Sequence, residues 1–329
     1  MADAEFLQRS EAPRPEARAV DYLAIMRLDH ATKHVFILPG VILALLLRGA
    51  HHGFGVWPVV AGFTAALAIA SANYVINEWL DRDFDAHHPT KRGRTAVSRR
   101  MRGWIIGLEW VALVVAGLAV AAAASKAMLI IASAFAAQGV AYNVRPLRLK
   151  DYPYVDVLAE SVNNPIRLMI GWAMVDPTTL PPSSILFAYW FGGAFLMGAK
   201  RLSEYREIAA AGDLPRLARY RPSFARYTEV NLTAAALVYA LFSVMMLAIF
   251  LIKYRIEYIF VLPPIILLFG KYLALAMQPG STAQSPEKLF SERGLMWIVV
   301  AIVAVFGLCT VIDIPALGPL TAQQFIRLP

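Results

Sequence analysis

Apolar runs long enough to cross a lipid bilayer recur along this chain, and that recurrence constrains its fold more than any other feature. A helix needs about 20 apolar residues to span a hydrocarbon core of roughly 30 Å. Nine such runs can be drawn, at about 34–50, 57–80, 103–124, 127–143, 155–175, 184–200, 229–252, 258–277 and 295–313, with edges loose by roughly two to four residues. Of 329 residues, 58% are hydrophobic and 16% charged, against about 25% charged in an ordinary soluble domain. Hydrocarbon offers no partner to an open backbone amide, so the expected fold is an all-α, polytopic membrane bundle.

The charges predict how the bundle is oriented. Of the 31 Lys and Arg residues, 24 fall on the connectors that share a side with the N-terminus. Only Arg48, Lys126, Lys253, Arg255 and Arg327 fall on the other side, while Arg167 and Lys271 lie inside runs. The positive-inside rule places the richer side in the cytoplasm. That bias and attraction to anionic lipid or phosphorylated substrate account for the net charge of +8 without nucleic acid.

Residues 1–21 form a polar tail without the short apolar core of a signal peptide, and are expected to be disordered or interfacial. Residues 22–329 read as one transmembrane domain, because no connector is long enough for a further soluble one. The longest, 200–227, carries Gly212 and Pro215 and can form a short interfacial helix or lid. Cys309 is the single cysteine, so no intramolecular disulfide forms. His51 and His52 read as a solvated outer turn.

The inner connectors carry the chemistry. Asn77, Asp81 and Asp85 recur every fourth residue at the end of the second run. If the helix continues through them, they share one face, where stacked carboxylates call for a cation. Mg2+ suits this set, because it binds through one or two carboxylates and completes its shell with water and phosphate oxygens. All three are therefore candidate metal ligands and catalytic residues. Lys91, Arg92 and Arg94 follow at once and can clamp phosphate oxygens. The plainer alternative is an acidic turn before an orienting basic loop. Asp83 points elsewhere on the helix, and His88 adjoins the basic run.

A second constellation runs from Tyr142 through Arg145, Arg148 and Lys150 to Asp156 and Glu160. Asp156 and Glu160 repeat the four-residue spacing, which suits a second metal or the other side of the same diphosphate. Asp156, Glu160, Asn163 and Arg167 are spaced to share one face of a single helix kinked at Pro165. The alternative has Asp156 capping that helix and Glu160 paired with Arg167. Lys200, Arg201 and Glu204, at the inner end of the sixth run, and Lys33, before the first, complete the candidate substrate-binding set.

These motifs resemble the UbiA superfamily of intramembrane prenyltransferases over almost the whole chain from about residue 22. The resemblance implies a transferase with Mg2+ as cofactor, held by two acidic motifs, and a cavity open to the cytoplasm and to lipid. It is closer still to the decaprenyl-phosphate phosphoribosyltransferase branch. That finer likeness rests on Arg27-x5-Lys33, the Asn77 to Arg94 stretch, Lys200-Arg201-x2-Glu204, Pro222-Ser223-x3-Tyr227 and Pro286-Glu287-x4-Glu292-Arg293. The chain departs from the branch at His34, at Thr95 and in the polar stretch 160–165.

The branch implies transfer of a 5-phosphoribosyl group from phosphoribosyl diphosphate to a polyprenyl phosphate, in a bacterial inner membrane, as part of cell-envelope biosynthesis. The partners would be a polyprenyl lipid, a diphosphate donor and membrane lipid, with an oligomer left open. The alternative moves a prenyl group from prenyl diphosphate to an aromatic or other small acceptor, with Trp172, Tyr189, Trp190 and Phe191 shielding an allylic cation. A transporter would instead show inverted repeats, and none is visible in the sequence.

Overall fold

The computed structural model describes residues 14–50, 54–88, 91–284 and 292–320. His51, His52, Pro89, Thr90, Pro286, Glu287, Arg327 and the first 13 residues of the tail lie outside the described residues. The helices are α1 Ala19–Ile25, α2 Leu38–Arg48, α3 Val56–Asp85, α4 Thr95–Ser98, α5 Gly103–Ala124, α6 Lys126–Asn143, α7 Val155–Ser161, α8 Asn163–Val175, α9 Ser183–Ala210, α10 Leu214–Tyr220, α11 Glu229–Tyr254, α12 Leu262–Ala276 and α13 Arg293–Val311. Short 3₁₀ turns join several of them, and no strand forms among the described residues.

Each of the nine predicted runs is mainly helical among the described residues. Six described helical stretches are long and apolar enough to cross a membrane: Ala19–Arg48, Val56–Asp85, Gly103–Ala124, Glu229–Tyr254, Ile256–Ala276 and Arg293–Val311. Helices α6 and α9 fall outside that set because they are more polar, with Lys126, Gln138 and Asn143 in α6 and the charged stretch 200–207 in α9. The fifth run is not one kinked helix. It breaks at Val162 into α7 and α8. Pro165 is the third residue of α8, where its missing N–H would have had no intrahelical partner, so it opens a helix instead of bending one. Asp156 and Glu160 therefore share α7, whereas Arg167 belongs to the next helix.

The chain divides into two compact units, one of residues 1–151, 166–180 and 218–222, the other of 152–165, 181–217 and 223–329. In the first, α3 packs along α5 and α6. Small residues set the spacing, as expected where lipid supplies no hydrophobic drive between helices. A Cβ on Gly40 would lie 2.0 Å from the Leu168 carbonyl oxygen, and one on Gly171 would lie 2.1 Å from that of Ile37. Backbone meets backbone there, so nothing can give way. Gly171→Ala is expected to cost about 3 kcal/mol by overpacking, seen as a lower melting temperature in detergent; an unchanged melt would show that α2 and α8 can part.

At the far end of α8, Asp176 accepts from Thr178 N and Oγ1, Thr179 Oγ1 and Arg48 Nε. Burial works against its charge, yet these donors hold the carboxyl below the usual range. In the second unit, α9 packs along α11 and against α7. Thr228 caps α11 reciprocally with Asn231, and Arg206 pairs with Glu229.

Candidate active site

Helix α3 does continue to Asp85. Its last turns thus carry Asp81, Asp83 and Asp85 at the negative end of the helix dipole, where carboxylates are disfavoured. Cations of the same unit compensate. Asp81 Oδ1 lies 2.6 Å from Lys150 Nζ and 2.7 Å from Arg148 Nη2. Arg94 Nη1 lies 2.6 Å from Asp85 Oδ2. Asn77 Nδ2 donates to Asp81 Oδ2 at 3.3 Å and to Asn143 Oδ1 at 2.7 Å. Lys150 also donates to Asn143 Oδ1, at 2.8 Å.

Arg148 is fixed on three sides. It binds Asp151 at 2.9 Å and the Asn143 carbonyl at 3.1 Å, and its guanidinium stands 5.1 Å from the Phe84 ring centre. Burial pushes the Lys150 ammonium down to about 8, against the pull of Asp81. Arg221 Nη2 donates to Tyr142 Oη at 2.9 Å.

One polar cavity of about 30 Å³ is lined by the acids Asp81, Asp85 and Asp151 and by the cations Lys91, Arg148, Lys150 and Arg221. That is room for an ion or one or two waters. The donor set fits Mg2+: two carboxylates of one helix reach the same space, and neighbouring cations are placed for phosphate oxygens. Among the described residues no group of three or more His, Cys, Asp or Glu could hold a metal. Mg2+ held here would take a part-shell of two carboxylates, left for phosphate and water to complete, and Asn77 stands one turn back, donating to Asp81 and Asn143.

The second unit gathers the other acids. Arg201 lies 2.8 Å from Glu160, 3.0 Å from Glu204 and 3.6 Å from Asp156. Asp156 is fully buried and accepts from Ser223 Oγ at 3.0 Å and Tyr227 Oη at 2.6 Å. Burial and the charge of Asp156 push the Tyr227 phenol up. Tyr227 Oη in turn accepts from Tyr154 N at 2.6 Å.

The remaining predicted residues are dispersed. Lys33 lies over the Tyr74 ring at 5.4 Å and Arg167 over the Phe135 ring at 5.5 Å. Arg92 is exposed and Lys200 half-buried. Trp172 is tied to Thr179 and Trp190 to the Leu158 carbonyl, while Trp190 and Phe191 stack with each other and with Phe187. Sequence reasoning gave no role to Asn143 and Asp151, which lie within the stretch from Tyr142 to Asp156, and missed Arg221, which ends the cluster that includes Arg216 and Arg219.

Residues 37–300 match the model of the UbiA prenyltransferase family. The chain belongs to that family. With its long apolar helices it is an integral membrane protein. The UbiA fold is also visible in solved structures: a UbiA homolog from Archaeoglobus fulgidus bound to GPP and Mg2+ superposes with a TM-score of 0.64 at 19% identity, covering 88% of this chain and 100% of that one. The same homolog bound to DMAPP and Mg2+ gives 0.64 at 20% identity, covering 89% and 100%.

Among curated sequences, the chain is 26% identical over 163 residues to the uncharacterized protein y4nM of Sinorhizobium fredii, covering 50% of this chain and 30% of that protein. It is 31% identical over 102 residues to 4-hydroxybenzoate octaprenyltransferase of Burkholderia cenocepacia, covering 29% and 35%. The chain thus spans about a third of the length of the curated relatives it matches.

Proposed function

We propose that this UbiA-family chain binds a diphosphate donor with Mg2+ at the Asp81 and Asp85 cavity and transfers the donor's other group to an acceptor in the membrane. The observation that carries this reading is the single cavity bordered by both carboxylates and by Lys91, Arg148, Lys150 and Arg221. The chemistry Mg2+ supplies when bound there is neutralisation of charge on the departing diphosphate. Asp81 and Asp85 would hold the ion, with Asn77 orienting Asp81. Lys150 and Arg148, which contact Asp81, and Lys91 and Arg221, which line the same cavity, would offer their charge to the phosphate oxygens. Arg94 holds the Asp85 carboxylate in place through its 2.6 Å contact. The 24-to-5 division of Lys and Arg supports a cytoplasmic mouth.

The transferred group is prenyl in the first reading, because the similar proteins named above are a prenyltransferase and a homolog holding prenyl diphosphates. Four cations on so small a cavity favour a second reading, in which a donor richer in phosphate, phosphoribosyl diphosphate, passes its sugar to a polyprenyl phosphate. Purified protein with Mg2+ would be offered radiolabelled prenyl diphosphate with aromatic acids and, separately, labelled phosphoribosyl diphosphate with polyprenyl phosphate. Label should enter new lipid-extractable product from the first pair; label from the second pair alone reverses the order of the two readings, and none from either removes both.

A further inference from the structure

The acids whose spacing suits a second metal surround an arginine instead. Arg201 is only 3% exposed in its side chain, and each of its nitrogens faces a different carboxylate: Nη1 faces Glu204, Nη2 faces Glu160 and Nε faces Asp156. A guanidinium does not lose its proton in a protein, so this positive charge is permanent. Mg2+ would require oxygens converging at about 2.0–2.1 Å in an octahedron. Arg201 instead spreads the three carboxylates around the rim of its planar fork. Asp156 is further committed, because its two oxygens accept from Ser223 and Tyr227. The fork is thus fully turned inward, which removes it from the phosphate-gripping role its sequence position suggests.

We propose that Arg201 is the resident cation of this cluster: a fixed guanidinium stands where the acid spacing calls for a divalent ion, so Asp156, Glu160 and Glu204 bind no metal. Metal use is then confined to Asp81 and Asp85, a clause that rests on the function proposed above. Arg201 is a positioning residue here. It orders α7 and the inner end of α9 by charge built into the chain, independent of metal supply.

The test counts Mn2+ on the purified full chain in lipid nanodiscs, from the EPR signal of the free ion. The Asp81→Asn/Asp85→Asn double variant should retain no Mn2+, and adding Glu160→Gln should change nothing. Arg201→Met in that double background should gain about one Mn2+ per chain and lose it again with Glu160→Gln, whereas Arg201→Lys should gain none. Mn2+ kept by the double variant and released by Glu160→Gln overturns the proposal, as does a folded Arg201→Met chain that gains nothing. If Arg201→Met does not fold, the Glu160→Gln comparison decides alone. Mn2+ that survives both the double variant and Glu160→Gln overturns the confinement of metal to Asp81 and Asp85.

Discussion

Asp81→Asn is expected to lower turnover by about 10²–10³-fold, the range seen when one preorganised electrostatic contact to a charged transition state is removed. Asp85→Asn should cost a similar factor, because both carboxylates are needed for the part-shell. The two should differ in stability. Asp81 is the counter-charge of buried Lys150 and shares buried Arg148 with Asp151, and leaving a buried charge such as that of Lys150 unpaired costs about 3–5 kcal/mol. Asp85 pairs with Arg94, whose side chain is 20% exposed, so water compensates part of that loss. Asp81→Asn should therefore melt several degrees below Asp85→Asn in the ligand-free state, while both are nearly inactive at saturating Mg2+. Full turnover in either variant would remove that carboxylate from the metal site; equal melting temperatures would show that Arg148 and Lys150 find other partners.

Asp156→Ala is expected to destabilise the second unit by about 3–5 kcal/mol, the cost of removing one partner from a buried ion pair. The carboxylate is fully buried and serves Arg201, Ser223 and Tyr227 together. Loss of the carboxylate leaves a hydroxyl and a phenol without their acceptor and removes one of the three negative charges around the guanidinium. Tyr227→Phe removes only one of these contacts, and a hydrogen bond to a charged group is worth about 1.5–3 kcal/mol. Melting curves in one detergent should thus rank wild type, Tyr227→Phe and Asp156→Ala in that order. An Asp156→Ala chain as stable as wild type would mean that the network contributes nothing net to folding.

The all-helical membrane class was legible because bilayer thickness and helix rise leave a long apolar run little choice. The Asn77, Asp81 and Asp85 face was legible for a similar reason: a four-residue spacing on a continuing helix is a local fact. Contacts distant in sequence were not. Glu160 and Arg201 are 41 residues apart, and nothing in either local sequence says that the basic residue will turn toward the acids. The break at Val162 was misread because a proline in the first turn of a helix and one in its interior look alike without the helix start. Arg221 was passed over within a basic connector whose charges also serve orientation. The donor's identity is a further step away, since prenyl and phosphoribosyl diphosphates present the same diphosphate to Asp81 and Asp85.

The contact of Gly40 and Gly171 bears on traffic from the bilayer. A Cβ on Gly171 would stand 3.1 Å from the α-carbon of Gly40, so the two helices touch main chain to main chain. An acyl or prenyl tail needs about 4 Å from carbon to carbon on either side of it. The seam between α2 and α8 is therefore sealed to lipid at that depth. Under the function proposed above, a long apolar substrate would enter and leave between other helices, and a search for its doorway begins by crossing this seam off.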